Sequence, residues 1–205
     1  MRSKESVNPP HLAGSSSDLT DSGPISLNTR HHIVGGIVMD YFLRPMSSAD
    51  AHAVVHWRYP GEYAFYNMDA DPEDLREFLD FERWDPDTKF AVVDSGGDLV
   101  GFFEFTTRDG VMEVGLGMRP DLIGQGQGQR FLEAGLLFAV ERFKPRWIKL
   151  AVATFNKRAI TVYERVGFAV TNIMVQKTNG GAYEFAEIEV DPTRLRLFFH
   201  EGDKS

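Results

Sequence analysis

The 205-residue chain contains no cysteine. That excludes disulfides, thiolate metal sites and any covalent intermediate on a protein thiol. An acyl group handled by this protein would not rest on a cysteine. No apolar run approaches the ~20 residues that a membrane-spanning helix needs. Arg2 and Lys4 are not followed by an apolar stretch, so the N-terminus does not read as a secretion signal, and a cytoplasmic location is the expectation. Positive charge is also short: 22 Lys and Arg stand against 30 Asp and Glu, for a formal net charge of −8. This argues against nucleic acid or a membrane surface as a partner and suits a cationic small molecule.

Large apolar side chains are scarce up to about residue 32, where Ser, Asn, Pro and Gly dominate. Such a stretch buries too little surface to offset its ordering entropy. Residues 1–36 are therefore expected to be a flexible tail, or the product of an early start site. Residues 37–191 are expected to form one domain, and 192–205 a C-terminal tail. With 42% hydrophobic and 25% charged residues, the remainder is ordinary for a globular fold.

Met39 to Pro45 reads as the first strand. Ser47 or Ser48 can cap a helix from Ala49 to Tyr59. Asp71-Pro72-Glu73-Asp74 is a helix start, with a cap, a proline in the first turn and acids behind it. Lys89–Asp94 and Leu99–Phe105 form a hairpin across Ser95-Gly96-Gly97-Asp98, and Val111–Met118 follows as a third strand. In it Met112, Val114, Leu116 and Met118 share one face, and Glu113, Gly115 and Gly117 the other. A helix then runs to about Phe143, with Leu132, Leu136, Ala139, Val140 and Phe143 at helical spacing and Pro145 as its stop. Trp147–Phe155 is a strand and Asn156–Val166 a helix ended by Gly167. Two last strands, about Val170–Lys177 and Tyr183–Val190, turn at Asn179-Gly180-Gly181. The order predicts a mixed α/β sheet in one domain.

Between the third of these strands and the long helix stands Ile123-Gly124-Gln125-Gly126-Gln127-Gly128. The first turn of a helix has unpaired N–H groups and a positive dipole end, and glycines let an anion come close. A phosphate-bearing ligand follows from that alone. A dinucleotide turn needs glycines at its first, third and sixth positions; counting from Gly124 the sixth is Gln129, and from Gly126 it is Phe131. A nucleoside triphosphate loop needs Gly-Lys-Ser/Thr, and no Lys follows here.

The spacing resembles the acetyl-CoA turn of the GNAT acetyltransferase superfamily, Arg/Gln-x-x-Gly-x-Gly/Ala, with Ile123 in place of the usual Arg or Gln. Asn156-Lys157-Arg158-Ala159-Ile160-Thr161-Val162-Tyr163-Glu164-Arg165-Val166-Gly167-Phe168 is similar to a second GNAT signature, Asn-x-x-Ala-x-x-x-Tyr-x-x-x-Gly-Phe. The resemblance covers about Asp40 to Val190. It implies the GNAT acyl-CoA N-acyltransferase fold, a mostly antiparallel sheet of about seven strands flanked by helices. It implies acetyl-CoA as co-substrate and direct transfer to a primary amine in a ternary complex, with a small-molecule acceptor favoured. It further implies that the fourth and fifth strands splay apart around the pantetheine arm. The expected cofactor contacts are Leu116, Gly117, Met118, Ile123, Gly124, Gln125, Gly126, Gln127, Gly128, Gln129, Asn156 and Tyr163. Arg130, Lys157 and Arg158 are placed to meet phosphates.

By the same resemblance Tyr163 is the expected acid for the leaving thiolate. An alkylamine is mostly protonated at neutral pH, so a proton acceptor is also needed. Glu113 is the first candidate and Glu104 the second. Gly115 and Gly117 would serve a bulge or a close backbone approach. The aromatic stretch Trp57 to Asn67 is a candidate acceptor wall, with Glu62 as an ammonium partner. His52 and His56 stand four apart on a predicted helix, but no third ligand accompanies them, so no metal is expected. Homodimers are common in the family, although no seam is visible here. Alternatives are a non-catalytic acyl-CoA-binding or sensor module on the same fold, and a protein N-terminal or lysine acetyltransferase.

Overall fold

The computed structural model describes residues 33–34, 37–38, 41–85 and 87–195. The stretch read as a tail up to residue 32, and residues 196–205, lie outside the described residues. Ile33–Val34, near the end of the expected tail, pairs antiparallel with Ile37–Val38, at the start of the expected domain.

Seven strands make the main sheet: β1 (Tyr41–Pro45), β2 (Lys89–Asp94), β3 (Leu99–Arg108), β4 (Val111–Met118), β5 (Trp147–Ala153), β6 (Ala169–Thr178) and β7 (Gly181–Val190). Their spatial order is β1-β2-β3-β4-β5-β7-β6. Every neighbouring pair is antiparallel except β4 and β5, which are parallel. A parallel pair needs a crossover, and helix α3 (Gly128–Phe143) supplies it. The remaining helices are α1 (Ser48–Val54), α2 (Pro72–Phe78) and α4 (Lys157–Arg165). This is the mixed, mostly antiparallel seven-stranded sheet expected from the sequence.

Strand alternation divides the apolar side chains between two cores. Phe90, Val92, Phe103, Phe105, Met112 and Val114 join Phe131, Leu132 and Leu136 of α3 and Val166 after α4. On the other face Ala91 and Phe102 pack with Val54 of α1 and Phe78 of α2. The caps follow the local chemistry. Asp71 accepts from the Glu73 N–H, Lys144 takes a left-handed φ of 51° where α3 stops before Pro145, and Gly167 follows α4 at φ 106°. Asn179 and Gly180, both at positive φ, close the β6–β7 hairpin in two residues.

Strand ends shift by up to three residues, as at Arg108 and Ala153, and two boundaries move further. The helix expected over Ala49–Tyr59 is cut to Ser48–Val54, because the chain then turns into a 3₁₀ segment at Gly61–Tyr66. At the other end, residues 192–195 form a helical turn, and Leu195 is fully buried in the main core. Ordered packing therefore continues past the predicted edge at residue 191.

Among the described residues, one charged group is buried. Asp50 accepts two hydrogen bonds from the Arg44 guanidinium, at 2.6 and 2.8 Å, and one from the Ser47 N–H at 2.9 Å. Ser47 Oγ in turn accepts from the Asp50 N–H, completing a capping box. Burial alone would raise the Asp50 carboxyl, but Arg44 and Ser47 outweigh it and hold the group down at about 2. A depressed carboxylate stabilises the fold above its unfolded pKa, and that contribution is lost as pH falls through the folded value. Asp50→Asn is expected to cost about 2 kcal/mol at neutral pH, an upper figure because Arg44 is half exposed. The melting temperature should drop by roughly 4–8 °C. Thermal unfolding followed against pH should show the gap to wild type closing as pH falls from about 4 towards 2.

Candidate active site

β4 and β5 pair over three residues only: Val111 with Trp147, Met112 with Ile148 and Glu113 with Lys149. Beyond Glu113 each strand stays held on its outer side, β4 by β3 as far as Met118 and β5 by β7 as far as Ala153. Their inner edges part, and a cleft of about 850 Å³ opens in the fork. Gly115, Leu116, Gly117 and Met118 line it from β4, Ala151 and Val152 from β5.

The glycine-rich turn forms one end. Gly124 and Gly126 adopt φ of 84° and 78°, and open space lies where a Cβ would stand at either. No side chain caps the start of α3, so its first N–H groups remain available to a ligand. Ile123, Gly124, Gly126, Gly128 and Gln129 line the cleft. Gln125 and Gln127 do not line it. Gln125 Nε2 closes the turn on the Asp121 carbonyl at 2.7 Å, and Gln127 Oε1 accepts from the Tyr41 hydroxyl at 2.8 Å, tying α3 to β1. Arg158 reaches the cleft but stacks on the Tyr63 ring, 3.9 Å from its centroid.

α4 provides the wall beside β5. Asn156 caps it by accepting from the Ala159 N–H at 3.2 Å, and also lines the cleft. Tyr163 lies one helical turn beyond Ala159. It is 9% exposed, lines the cleft and packs edge-on to Phe168. Burial pushes its phenol upward and nearby Tyr66 adds to this, so the hydroxyl keeps its proton. The Tyr66 hydroxyl is itself shut off from solvent, beside the Asn156 amide and the Ala153 backbone, without hydrogen-bond geometry to either.

The opposite end is acidic and aromatic. Asp71, Asp74 and Glu77 line it from α2 and its cap, Glu104 from β3, and Trp57, Tyr59, Phe78 and Phe102 supply rings. Tyr59 donates to the Met118 carbonyl at 3.0 Å, which joins this wall to the end of β4. Asp74 is pushed upward, first by desolvation and then by Asp71, Glu77, Glu73 and Glu104. The carboxylates therefore share one field across the cleft. Lys89 is the basic residue among them. It pairs with Glu104 Oε1 and lies over the Phe78 and Trp84 rings at 5.2 and 5.7 Å. Glu104 Oε2 faces Gly115, 3.5 Å from where a Cβ would be.

Glu113 occupies a different place from the one expected of a proton acceptor. It sits on the last paired rung below the fork and does not line the cleft. Its side chain is 63% exposed and lies 3.8 Å from Lys149, which also reaches Glu187. β4 carries no bulge either, since its register with β3 is unbroken. Gly117 instead admits the Phe102 ring, which would lie 2.4 Å from a Cβ there. Glu62 lines a smaller neighbouring pocket with Phe65, Phe155 and Tyr183. The His56 Nδ1 lies 2.6 Å from the His52 carbonyl.

Asp74 and Glu77 line the cleft without belonging to any site motif expected from the sequence. The available signal was their recurrence with Asp71 at every third position, which puts three carboxylates along one side of α2.

Residues 41–169, more than half of the chain, match the model of the acetyltransferase (GNAT) domain. The mycothiol acetyltransferase of Propionibacterium freudenreichii is 32% identical over 151 residues, covering 69% of this chain and 46% of that protein. The mycothiol acetyltransferase of Streptomyces avermitilis is 35% identical over 91 residues, covering 43% and 29%. The chain thus spans less than half the length of these relatives. Among solved structures, spermidine N-acetyltransferase from Vibrio cholerae in complex with CoA and spermine superposes with a TM-score of 0.62 at 18% identity, over 77% of this chain and 98% of that one. A GNAT-family acetyltransferase from Bacillus anthracis gives 0.60 at 17% identity, over 75% and 96%. These two likenesses establish the fold, and the domain match establishes the kinship: the chain belongs to the GNAT acetyltransferase family.

Proposed function

We propose that the protein transfers an acetyl group from acetyl-CoA to a primary amine of a small cationic molecule, by direct attack in a ternary complex. The observation that carries this reading is the fork between β4 and β5. It joins an uncapped, glycine-lined helix start to an end lined by four carboxylates and several rings.

The residues present fit acetyl-CoA. The turn from Ile123 to Gln129 suits phosphates, which need N–H donors and close backbone approach. The inner edges of β4 at Leu116–Met118 and of β5 suit an extended arm with amide groups of its own. Asn156 and Tyr163 stand where the two walls meet. The co-substrate supplies an acetyl thioester that an amine can attack without a protein nucleophile, in keeping with a chain that has no cysteine.

At the other end the carboxylates favour an ammonium group, and the rings suit its alkyl chain. The Vibrio cholerae enzyme of the same fold was solved with CoA and spermine. The acidic lining here suits an acceptor of that kind, an alkylamine with further positive charge. In this reading Glu104 takes the proton from the attacking ammonium and Tyr163 gives one to the departing thiolate. The position of Glu104 in the cleft favours it over Glu113.

The test is release of CoA thiol from acetyl-CoA over a panel of polyamines, amino acids, aminoglycosides, arylamines and peptides. Turnover is expected for di- and polyamines, with kcat/KM at least tenfold above that for neutral arylamines. Silence across the panel with acetyl-CoA bound would leave only a binding module.

A further inference from the structure

Two buried side-chain polar atoms lack a hydrogen-bond partner among the described residues, the Tyr66 hydroxyl and the Trp84 indole nitrogen, and only Tyr66 lines the cleft. A hydroxyl shut away from water without a partner costs stability, so its place calls for a reason. Tyr66 ends the 3₁₀ segment Gly61–Tyr66, which the Asn179 side chain pins by donating to the Phe65 carbonyl at 2.8 Å. The Tyr66 ring packs edge-on to Phe65 at 5.1 Å and tilted to Phe155 at 6.0 Å. Contacts that do not use its oxygen thus hold the phenol where β5 passes into α4. Its neighbours there are donors. Bonded and non-bonded pairs alternate along the antiparallel ladder of β5 with β7. The Thr154 N–H bonds the Glu184 carbonyl at 2.9 Å, so the rung of Ala153 with Phe185 is a non-bonded one, and the Ala153 N–H points away from β7 into the fork. The Ala153 carbonyl is already taken by the Asn156 N–H at 2.9 Å. Asn156 commits its Oδ1 to the Ala159 N–H, which leaves its amide NH₂ end beside Tyr66. Among an N–H, an NH₂ and a hydroxyl, the missing member is an acceptor.

We propose that the Tyr66 hydroxyl is a ligand-binding donor for a carbonyl oxygen of the acetyl-pantetheine arm, with the Ala153 N–H and the Asn156 amide beside it. The inference rests on the reading of the fork as an acetyl-CoA site. A neutral carbonyl fits this corner better than an anion. The rings of Phe65 and Phe155 exclude water from it, so a charged group would lose its hydration there without gaining a full countercharge. Arg158, in the first turn of α4, is stacked on Tyr63 at 3.9 Å. Phosphates have the uncapped start of α3 instead. Long side chains of a helix lean towards its N-terminus. Tyr163, two turns beyond Asn156, therefore reaches back towards the same corner, and its phenol feels Tyr66. The carbonyl thus belongs to the part of the arm next to the sulfur, the thioester or the nearest amide. Tyr59 provides the contrast. Its hydroxyl is also desolvated, but it donates to the Met118 carbonyl at 3.0 Å, and so serves the fold. The partner of Tyr66 has to come from outside the chain.

Tyr66→Phe tests this with two readouts that move in opposite directions. The ring contacts remain and the unpaired hydroxyl is gone, so the free variant should melt at or slightly above the wild-type temperature. Titration calorimetry should show it binding acetyl-CoA roughly 3–10-fold more weakly than wild type, and saturating acetyl-CoA should raise its melting temperature by less. Titration with CoA locates the acceptor. A loss confined to acetyl-CoA assigns the thioester carbonyl, and an equal loss with both ligands assigns the pantetheine amide. A free variant that melts clearly below wild type overturns the proposal, because the hydroxyl then has a partner inside the protein. Unchanged affinity for both ligands overturns it too, and leaves the acetyl-CoA reading standing. A wild type that neither ligand stabilises removes that reading and the donor role with it.

Discussion

Tyr163→Phe is expected to lower turnover on the best acceptor by roughly 10²–10⁴-fold while leaving CoA affinity within about a factor of two. The ring contacts remain, since Tyr163 packs edge-on to Phe168 and that contact does not use the hydroxyl. Melting should accordingly stay near wild type. What is lost is a protonated donor at the meeting of α4 with the cleft. Burial holds the phenol up, so in wild type it retains its proton throughout the neutral range and beyond. A thiolate developing in the cleft then finds a hydrogen-bond donor and proton source already in place, and in the variant finds only carbon. Steady-state thiol release and calorimetric titration with CoA separate the two effects. Turnover within threefold of wild type would remove Tyr163 from the chemistry. A parallel loss of CoA affinity would make it a binding contact instead.

The fold was legible because its signals are local and periodic. The alternation in Val111–Met118, the i, i+4 apolar series of α3 and the Asn179-Gly180 turn each depend on neighbours in the chain. The turn and the Asn156–Phe168 signature were legible for the same reason. What could not be read locally is where β4 leaves β5. That depends on β3 and β7 holding the two strands apart, through partners far away in sequence. The choice between Glu113 and Glu104 hangs on it. Both lie on strands beside the fork, and only the rung at which pairing stops puts one in the cleft and the other below it. The acidic side of α2 escaped for another reason. Asp71 and Asp74 were read through their helix-starting role, which they do fill, and that account hid the face they share with Glu77. Ordered packing passes the expected edge at residue 191 because Leu195 gains its place in the core only through partners far away in sequence.

The acidic end also bears on how the acceptor is held before it reacts. Asp74 is raised partly by its carboxylate neighbours, so the group is poised to gain from an incoming cation. An ammonium placed there relieves repulsion already present in the free protein. Lys89 cannot relieve it fully, because it is engaged with Glu104 and with two rings. An acceptor with two positive charges could set one on the α2 carboxylates and present the other near Glu104. In the proposed reading, that division of labour would make Glu104 the point at which binding gives way to chemistry.

Glu104→Gln should therefore lower kcat/KM by roughly 10²–10³-fold at neutral pH. One oxygen of Glu104 is engaged by Lys89, and the other lies over Gly115, its paired neighbour on β4, in the lining of the cleft; in the proposed reading it receives the proton there. Without the carboxylate, attack depends on the small fraction of acceptor that is already neutral. An alkylamine titrates near 10.4, so below this value that fraction grows about tenfold for each unit by which pH rises. The deficit of the variant should shrink accordingly as pH rises. This pH dependence separates chemistry from packing. Lys89 is mostly buried and loses its partner in the variant, which carries a cost in stability. A fold damaged in that way would lose activity by a similar factor at every pH. Glu113→Gln, below the fork and largely in solvent, is the control and should keep kcat/KM within about twofold of wild type. A deficit in Glu104→Gln that does not vary with pH would reduce Glu104 to a partner for Lys89. A large, pH-dependent loss in Glu113→Gln would return the proton to β4, and the cleft would then have to close lower down the strands than their pairing allows.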